Sequence, residues 1–271
     1  MIRFSDISFS YAGAQGAPAL SRVSFDVQPG EQVAVLGANG SGKSTLVQLA
    51  NGLLLPDSGT VTVDGIDTRD VSRTRDVRER VGMVFQRPDD QIVATSVEDD
   101  VAFGPENLGL PREQIRERVD EAIAAVGLPG LERREPHLLS GGQKQRLAMA
   151  GALAMRPAYL VLDEPASMLD PDGRRDVLAI VRALRASGTG VMHVTHDLAD
   201  IVDADRAMVL DAGRVVFAGS VVELYGRAEL LAASGLELPP LARLAVALRV
   251  RGARLPSGVM DVETIVGSLW P

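Results

Sequence analysis

The chain has 271 residues, 46% of them hydrophobic and 24% charged, which is typical of a globular protein with one large domain or one domain and an appendage. Its net charge of -8 argues against a broad nucleic-acid-binding surface, and the absence of cysteine excludes disulfides and thiolate chemistry. No apolar run reaches the roughly 18 residues that a transmembrane helix needs, and the N-terminus has no signal-like segment. We therefore expect a chain that is soluble by itself.

The predicted strands fall into two types. Alternating apolar residues over Ile2–Phe9 and Val23–Val27 predict antiparallel strands near the N-terminus. The nearly continuous apolar runs Tyr159–Leu162 and Val191–Val194 predict buried parallel strands instead. Helical patterns lie between these runs, which favours an α/β fold in which helices cover a sheet.

Residues 87–155 show no clear strand pattern and predict a helical subdomain. A helix begins there at Pro111 and ends at Gly127. Its apolar face is formed by Ile115, Val119, Ala122, Ile123 and Val126. We place this subdomain inside a larger domain that spans residues 1–220.

The composition changes from about residue 220, and residues 221–271 predict a C-terminal helical extension. Pro239 and Pro240 open a helix, and Asp261 is suited to cap a second one. The expected apolar faces are Leu241, Leu244, Ala245 and Leu248 in the first helix and Val262, Ile265, Val266 and Leu269 in the second. The extension either packs on its own domain or forms a docking or dimer surface.

A glycine-rich loop between an apolar strand and a helix predicts a nucleoside triphosphate site. Residues 37–44 match the phosphate-loop pattern, whose glycines let backbone N–H groups surround a polyphosphate. Lys43 is expected to reach the β- and γ-phosphates, and Ser44 to ligate their Mg²⁺. The residues expected to bind the nucleotide here are Gly37, Asn39, Gly40, Ser41, Gly42, Lys43, Ser44 and Thr45.

Two acids end the predicted strand at 159–162. Beside a phosphate loop, Asp163 would hold the metal ion and Glu164 would orient and deprotonate the attacking water. An Asp-Glu pair by itself would indicate only a helix N-cap. Its position downstream of a phosphate loop favours the catalytic interpretation.

A second anion site is predicted at residues 139–143, which read Leu-Ser-Gly-Gly-Gln. Ser140, Gly141, Gly142 and Gln143 expose a hydroxyl and backbone donors at the start of a helix, an arrangement suited to a γ-phosphate. The alternative is a simple capped helix start.

These motifs appear in the order of an ABC-type ATPase, and residues 1–220 resemble that family. The resemblance rests on the phosphate loop, Gln86, Leu-Ser-Gly-Gly-Gln, Asp163-Glu164, Ser167–Asp170 and Thr195–Asp197. It implies a P-loop ATPase with an antiparallel β subdomain and a helical subdomain. It also implies that two such domains sandwich two ATP molecules with Mg²⁺ head to tail, each phosphate loop facing the partner's Ser140–Gln143.

The resemblance implies further roles. Gln86 matches a glutamine that senses Mg²⁺ and the attacking water, and His196 a histidine that contacts the γ-phosphate. Asp170 matches a residue that crosses the dimer interface, although it also precedes Pro171 and is suited to cap that helix. Tyr11 matches an aromatic that stacks on adenine, with an ordinary strand residue as the alternative. We interpret the other two histidines, His137 and His193, as a loop residue and a core residue.

The segment from Val84 to Asn107 resembles the ATPases of energy-coupling-factor (ECF) importers, which take up vitamins or transition-metal ions. The runs at 167–171 and 235–244 fit this branch too, and in it the C-terminal part helps hold two ATPases together. The resemblance implies a transmembrane scaffold protein, a small substrate-binding membrane protein and a peripheral location on the cytoplasmic face of the membrane. The second ATPase is either a copy of this chain or a paralogue.

Two rival interpretations remain from the sequence. A conventional ABC importer or exporter ATPase shares the catalytic motifs and differs in its membrane partner. A soluble ATP-switched protein usually has a long coiled-coil insertion or two ATPase domains on one chain, and this chain shows neither pattern.

The segment between Gln86 and Glu106 is acidic. It contains Asp89, Asp90, Glu98, Asp99, Asp100 and Glu106 against a single base, Arg87. Glu98 and Asp99 are explained by a helix dipole after Ser96. For Asp89 and Asp90 we hypothesise contact with a basic helix of a membrane partner.

Overall fold

The computed structural model describes residues 1–13, 17–253, 255 and 262–269. The strands are β1 (Ile2–Phe9), β2 (Leu20–Val27), β3 (Gln32–Leu36), β4 (Ser58–Val63), β5 (Ile66–Asp67), β6 (Val81–Val84), β7 (Tyr159–Asp163), β8 (Gly190–Val194), β9 (Arg206–Asp211) and β10 (Arg214–Gly219). The α-helices are α1 (Lys43–Ala50), α2 (Thr74–Arg80), α3 (Val97–Asn107), α4 (Arg112–Ala125), α5 (Gly141–Ala154), α6 (Pro171–Ala186), α7 (Val221–Tyr225), α8 (Ala228–Ala233), α9 (Pro240–Val250) and α10 (Val262–Leu269).

The strands form two sheets, as the two sequence patterns predicted. The alternating strands β1 and β2 pair antiparallel in a four-stranded sheet of order β2-β1-β4-β5. The continuous apolar strands lie in a six-stranded sheet of order β10-β9-β3-β8-β7-β6. In that sheet all neighbours from β9 to β6 run parallel, and only β10 runs antiparallel.

The parallel order places β3, β8, β7 and β6 side by side. All of β3, β7 and β8 is buried on both faces, which explains their nearly uninterrupted apolar sequences. Because the strands are parallel, the segments that follow them emerge at one edge of the sheet. Those segments are the phosphate loop after β3, the His196 turn after β8, Glu164 after β7 and Gln86 after β6.

Three large apolar clusters surround this sheet. One lies between the two sheets and includes α1, a second packs α3, α4, α5 and α6 on the opposite side, and a third joins β9 to α7 and α8. In the described chain between β6 and β7, all regular structure is helical. The predicted helix after Pro111 is α4, and its inward residues Val119, Ala122 and Ile123 are buried as expected.

The C-terminal helices differ from the predicted pattern in their buried faces. In α9 the side chains of Ala242 and Ala245 are buried, whereas Leu244 is 47% exposed. In α10 Ile265 is buried but Val262 and Val266 are about half exposed. A small cluster of Ala245, Leu255 and Ile265 joins the two helices, so each uses a narrower apolar stripe than its sequence suggested. The predicted cap residue Asp261 lies outside the described residues.

Candidate functional site

The phosphate loop is a tight backbone turn between β3 and α1. Gly37, Gly40 and Gly42 all have positive φ, which glycine adopts at little cost. A Cβ added at Gly42 would lie 2.5 Å from the Ala19 carbonyl oxygen, and one at Gly37 would lie 2.3 Å from the Leu210 carbonyl oxygen. At Gly37 and Gly42 a side chain is therefore excluded twice, by the positive φ and by the neighbouring backbone oxygens.

Lys43 lies over the loop from the first position of α1. Its Nζ donates to the carbonyl oxygens of Gly37 at 2.8 Å and Ala38 at 3.1 Å, and it stands 3.9 Å from Glu164 Oε1. Burial lowers the pKa of Lys43, and the charges of Glu164 and Asp163 oppose that change. A cation held this way is positioned for an anion in the loop.

Asp163 ends β7 beside the helix start at Ser44. The Ser44 hydroxyl donates a hydrogen bond to its carboxylate. Burial raises the pKa of Asp163, and the Ser44 hydrogen bond and the Lys43 charge oppose the rise. The Ser44 hydroxyl and the Asp163 carboxylate lie together because β7 and the phosphate loop leave the same edge of the sheet.

The residues present fit a Mg²⁺-nucleotide. Ser44 and Asp163 supply the hard oxygen ligands that Mg²⁺ prefers, and an ion carried on phosphates needs only one or two carboxylates. Among the described residues no dedicated cluster of three or more metal-ligating side chains occurs. In the same part of the chain, the Ser41 hydroxyl is buried within the loop without a hydrogen-bond partner, and a phosphate oxygen would satisfy it.

Glu164 lies at the centre of a polar cluster. Its Oε2 accepts a hydrogen bond from Gln86 Nε2 at 3.0 Å and stands 3.1 Å from His196 Nδ1. Only 7% of Glu164 is exposed, and its backbone N–H donates to the Val194 carbonyl oxygen at 2.9 Å. Its φ of 48° is unusual for a residue with a side chain, a strain of roughly 1–3 kcal/mol that is often found at functional sites.

The segment at Ser140 forms a complete capping box at the start of α5. The Gln143 N–H donates to Ser140 Oγ, and the Ser140 N–H donates to Gln143 Oε1. Gly141 and Gly142 follow on the accessible first turn. That Ser140–Gln143 faces the phosphate loop of a partner stays a prediction.

The contacts of Asp170 and Tyr11 are compatible with the nucleotide-binding roles and also with the simpler alternatives, which are a helix cap for Asp170 and an ordinary structural residue for Tyr11. Asp170 caps α6, its Oδ1 accepting from the Gly173 N–H at 2.8 Å, and the residue remains exposed. The Tyr11 hydroxyl lies 3.0 Å from Thr45 Oγ1, and its ring packs edge-on against Phe9. At 47% exposure, the Tyr11 ring borders the phosphate loop and still offers a free surface.

The other histidines lie as interpreted from the sequence. His193 is fully buried in β8, and its Nδ1 is 3.4 Å from Gln32 Nε2. His137 is exposed in a short 3-10 turn before Ser140. Only His196 reaches the cluster around Glu164.

In the folded protein, two of the acids that follow Gln86 do not present a free negative charge to solvent. Asp100 is buried and accepts from the Val93 and Ala94 N–H groups. Asp89 pairs with Lys144 Nζ at 2.6 Å, a base contributed by α5. Ser96 caps α3 as expected. Asp90, Glu98, Asp99 and Glu106 remain exposed.

Two further residues have roles that sequence reasoning missed. The Gln91 side chain accepts from the Phe85 N–H and donates to the carbonyl oxygens of Met83 and Ala148, which fixes the segment around Gln86. Arg174 forms ion pairs with two acids of the turn that follows His196. Arg174 has no motif signal, because its partners lie 23 and 26 residues away.

An apolar groove of about 710 Å³ opens beside the segment that carries Gln86, and Phe85 and Gln91 of that segment line it. It lies between α2, β6, α3 and α5, and Phe85, Met83, Phe103, Leu53 and Met155 contribute to its walls. Phe103 is 53% exposed there. Among the described helices, none is both apolar and long enough to cross a lipid bilayer.

Comparison with known proteins identifies the family. The ABC transporter family matches residues 20–167. The energy-coupling factor transporter ATP-binding protein EcfA1 of Symbiobacterium thermophilum is 52% identical over 97% of this chain and 94% of that protein. Its counterpart in Caldanaerobacter subterraneus is 45% identical over 98% and 97%.

Solved structures agree in fold and family. CbiO1 of Clostridium perfringens, described as part of the ABC transporter complex CbiONQ, has a TM-score of 0.77 at 36% identity and covers 90% of this chain and 97% of its own. A dimeric ATP-binding cassette bound to ADP and Pi has a TM-score of 0.74 at 28% identity and covers 82% and 99%. The chain therefore belongs to the ABC transporter family and, within it, to the energy-coupling factor transporter ATP-binding proteins.

Proposed function

We propose that this chain is the ATP-hydrolysing motor subunit of an ECF-type importer that takes up a vitamin or a transition-metal ion. The observation that carries the proposal is the position of Glu164, held by Gln86 and His196 next to Lys43 and Asp163. Bound Mg²⁺ would supply charge stabilisation for the transferred phosphoryl group. The chain's own residues bind the nucleotide, orient the attacking water and accept its proton.

Each site residue has a proposed role. Lys43 and the loop N–H groups hold the phosphates, Ser44 and Asp163 hold the metal ion, and Glu164 removes a proton from the attacking water. Gln86 and His196 keep the Glu164 carboxylate in place. Gln86 would also contact Mg²⁺ and the attacking water, and His196 the γ-phosphate. We propose that Tyr11, the loop residues and Thr45 contact ATP, and that Ser140–Gln143 and Asp170 act across a dimer. Within the molecule, the Tyr11 hydroxyl contacts that of Thr45, and Lys43 donates to two loop carbonyl oxygens. Ser140 and Asp170 cap α5 and α6.

Replacing Glu164 by Gln tests the assignment of the base. The amide keeps the volume and the hydrogen bonds but cannot accept a proton, so we expect hydrolysis to fall by about 10²–10⁴-fold with ATP binding retained and closed dimers accumulating. The matched control is Glu113→Gln, which changes an exposed glutamate in the first turn of α4. Normal turnover by Glu164→Gln would overturn the assignment.

We propose that the apolar groove receives a segment of the transmembrane scaffold protein. The groove is open, apolar and adjacent to Gln86 through Phe85 and Gln91, so a bound helix would sense the nucleotide site. Phe103→Asp should weaken co-purification of the membrane partner from gently solubilised membranes. Val202→Asp, at a 45% exposed valine outside the groove, is the matched control. Equal recovery with both variants would remove the groove from the proposal.

The same purification tests the importer type. A scaffold protein with a small substrate-binding membrane protein supports the ECF assignment and names the substrate class. A large permease alone would indicate a conventional ABC transporter, and no membrane protein under crosslinking would indicate a soluble ATP switch. A second, different ATPase would distinguish a heterodimer from a homodimer.

We further propose the domain division and the location. Residues 1–220 form the ATPase domain, with a helical subdomain at about 87–155, and residues 221–271 form an extension that holds two ATPases together. The exposed Leu244, Val262 and Val266 support an apolar contact there. The protein then works at the cytoplasmic face of the membrane as a peripheral subunit, without binding nucleic acid.

A further inference from the structure

The turn that carries His196 has its own network of hydrogen bonds. The Asp197 N–H donates to Thr195 Oγ1 at 3.0 Å, and the Ala199 N–H donates to Asp197 Oδ1 at 2.8 Å. The Thr195 hydroxyl in turn lies 3.0 Å from Asp200 Oδ2. These bonds define the shape of the turn, but all of them lie within six consecutive residues. By themselves they do not fix where the turn stands relative to Glu164.

Arg174 ties this turn to another element, helix α6. Its Nη2 is 2.5 Å from Asp197 Oδ2, and its Nε is 2.7 Å from Asp200 Oδ1. The Asp200 side chain is 4% exposed and that of Arg174 30%, so the pair with Asp200 is shielded from water. Charge-assisted hydrogen bonds of this kind are roughly twice as strong as neutral ones, and the guanidinium fork fixes direction as well as distance.

The position of Arg174 in its helix is equally informative. It lies one turn after Asp170, which caps the same helix, so α6 connects the Asp170 segment rigidly to the His196 turn. The neighbouring Arg175 pairs with Asp172 in the first turn of α6, and both of those side chains are more than three-quarters exposed. Of these two adjacent arginines, Arg174 contacts the His196 turn, and Arg175 serves as an exposed comparison.

We propose that Arg174 is a positioning residue for ATP hydrolysis. By holding Asp197 and Asp200, it keeps His196 Nδ1 within 3.1 Å of Glu164 Oε2 and couples the start of α6 to that contact. The expected effect on hydrolysis rests on the proposed function. The effect of Arg174 on the placement of His196 does not, and it can be measured without any activity.

The first test compares Arg174→Lys with Arg175→Lys in ATP hydrolysis. Lysine keeps the charge near the buried Asp200 but lacks the planar guanidinium fork, which fixes the directions of the bonds to both carboxylates. Because a small misplacement of a catalytic group can cost up to about 10²-fold, we expect kcat to fall about 10- to 100-fold in Arg174→Lys, with KM and the affinity for ATP within about twofold. Arg175→Lys should match the wild type. Equal kcat values in all three proteins would overturn the proposal.

The second test measures the environment of His196 directly. The chain has three histidines, and carbethoxylation by diethyl pyrocarbonate can be followed at each by mass spectrometry. In Arg174→Lys we expect His196 to react several-fold faster than in the wild type, because the turn is no longer held against Glu164. The exposed His137 serves as the internal reference and should not change. An unchanged or slower reaction at His196 would overturn the proposal.

A second variant covers the case in which Arg174→Lys does not fold. Arg174→Met combined with Asp200→Asn removes the buried carboxylate together with its partner, so no lone charge is left inside. The same loss of kcat and faster His196 modification are expected, and wild-type values would overturn the proposal. If the wild type itself fails to hydrolyse ATP, the proposed function fails, whereas the modification experiment still decides the placement of His196.

Discussion

Lowering the pH from 7 to 5 should destabilise the protein by about 2 kcal/mol through His193, a side chain of β8 without accessible surface. Burial lowers the pKa of His193 to about 4, and the charge of Arg174 adds to that effect. The imidazole of an unfolded chain titrates near pH 6.5.

The sign and size follow from these two values. Between about pH 6.5 and pH 4 the unfolded chain binds a proton that the folded protein excludes, so the free energy of unfolding falls as the pH is lowered through this window. The full effect of a 2.5-unit difference is about 3 kcal/mol, of which about 2 kcal/mol is lost between pH 7 and 5.

Urea unfolding followed by circular dichroism at pH 7 and pH 5 measures this loss. His193→Gln replaces the imidazole by a side chain of similar volume that does not titrate, so its stability should fall about 2 kcal/mol less than that of the wild type. The control is His137→Gln, which removes a 70% exposed imidazole and should follow the wild type. Equal losses in wild type and His193→Gln would refute the reasoning, whatever the absolute stability of the variant.

Three further outcomes are expected at and near the site. Lys43→Ala should abolish measurable ATP binding, checked by equilibrium binding of a fluorescent ATP analogue, because the cation within the phosphate loop is lost. Gly42→Ala should bind ATP far more weakly than Gly40→Ala, because its Cβ meets a backbone oxygen at 2.5 Å while that of Gly40 meets nothing within 4 Å; similar affinities would contradict the steric argument. Asp89→Lys combined with Asp90→Lys should weaken association with the membrane partner in co-purification and leave ATP binding by the isolated chain intact; unchanged association would remove these acids from the partner surface.

Several parts of the fold could be predicted because their signals are local. The alternating and continuous apolar patterns separate the two sheets, since a half-buried strand and a fully buried strand need different sequences. The phosphate loop is recognisable because its glycines are needed for positive φ angles at short spacing, and two of them, Gly37 and Gly42, also lie against neighbouring backbone oxygens. The assignment of His193 to the core followed from its spacing, since it lies three residues before His196 and the two side chains point to opposite faces of a strand.

The burial of single residues was not predictable, because it depends on distant elements. Leu244 fits the apolar stripe of α9 by spacing and is 47% exposed, whereas Ala242, which is not part of that stripe, is buried in the cluster with α7 and α8. Asp100 counted toward an acidic surface, but it is buried beneath the chain at Val93 and Ala94. A charge count along the sequence cannot reveal Lys144, which reaches Asp89 from another helix.

The sequence alone was sufficient to identify the chemistry of this protein, because a phosphate loop, an Asp-Glu strand end and a Ser-Gly-Gly helix start each require particular residues at short spacing. The strand order β3-β8-β7-β6 was not readable in this way. It places Lys43, His196, Glu164 and Gln86 at one edge of the sheet, although they come from four separate parts of the chain. Arg174 depends on the same arrangement, since its bonds to Asp197 and Asp200 exist only when α6 packs beside the end of β8. Such contacts are set by packing across long sequence separations, for which no local pattern exists.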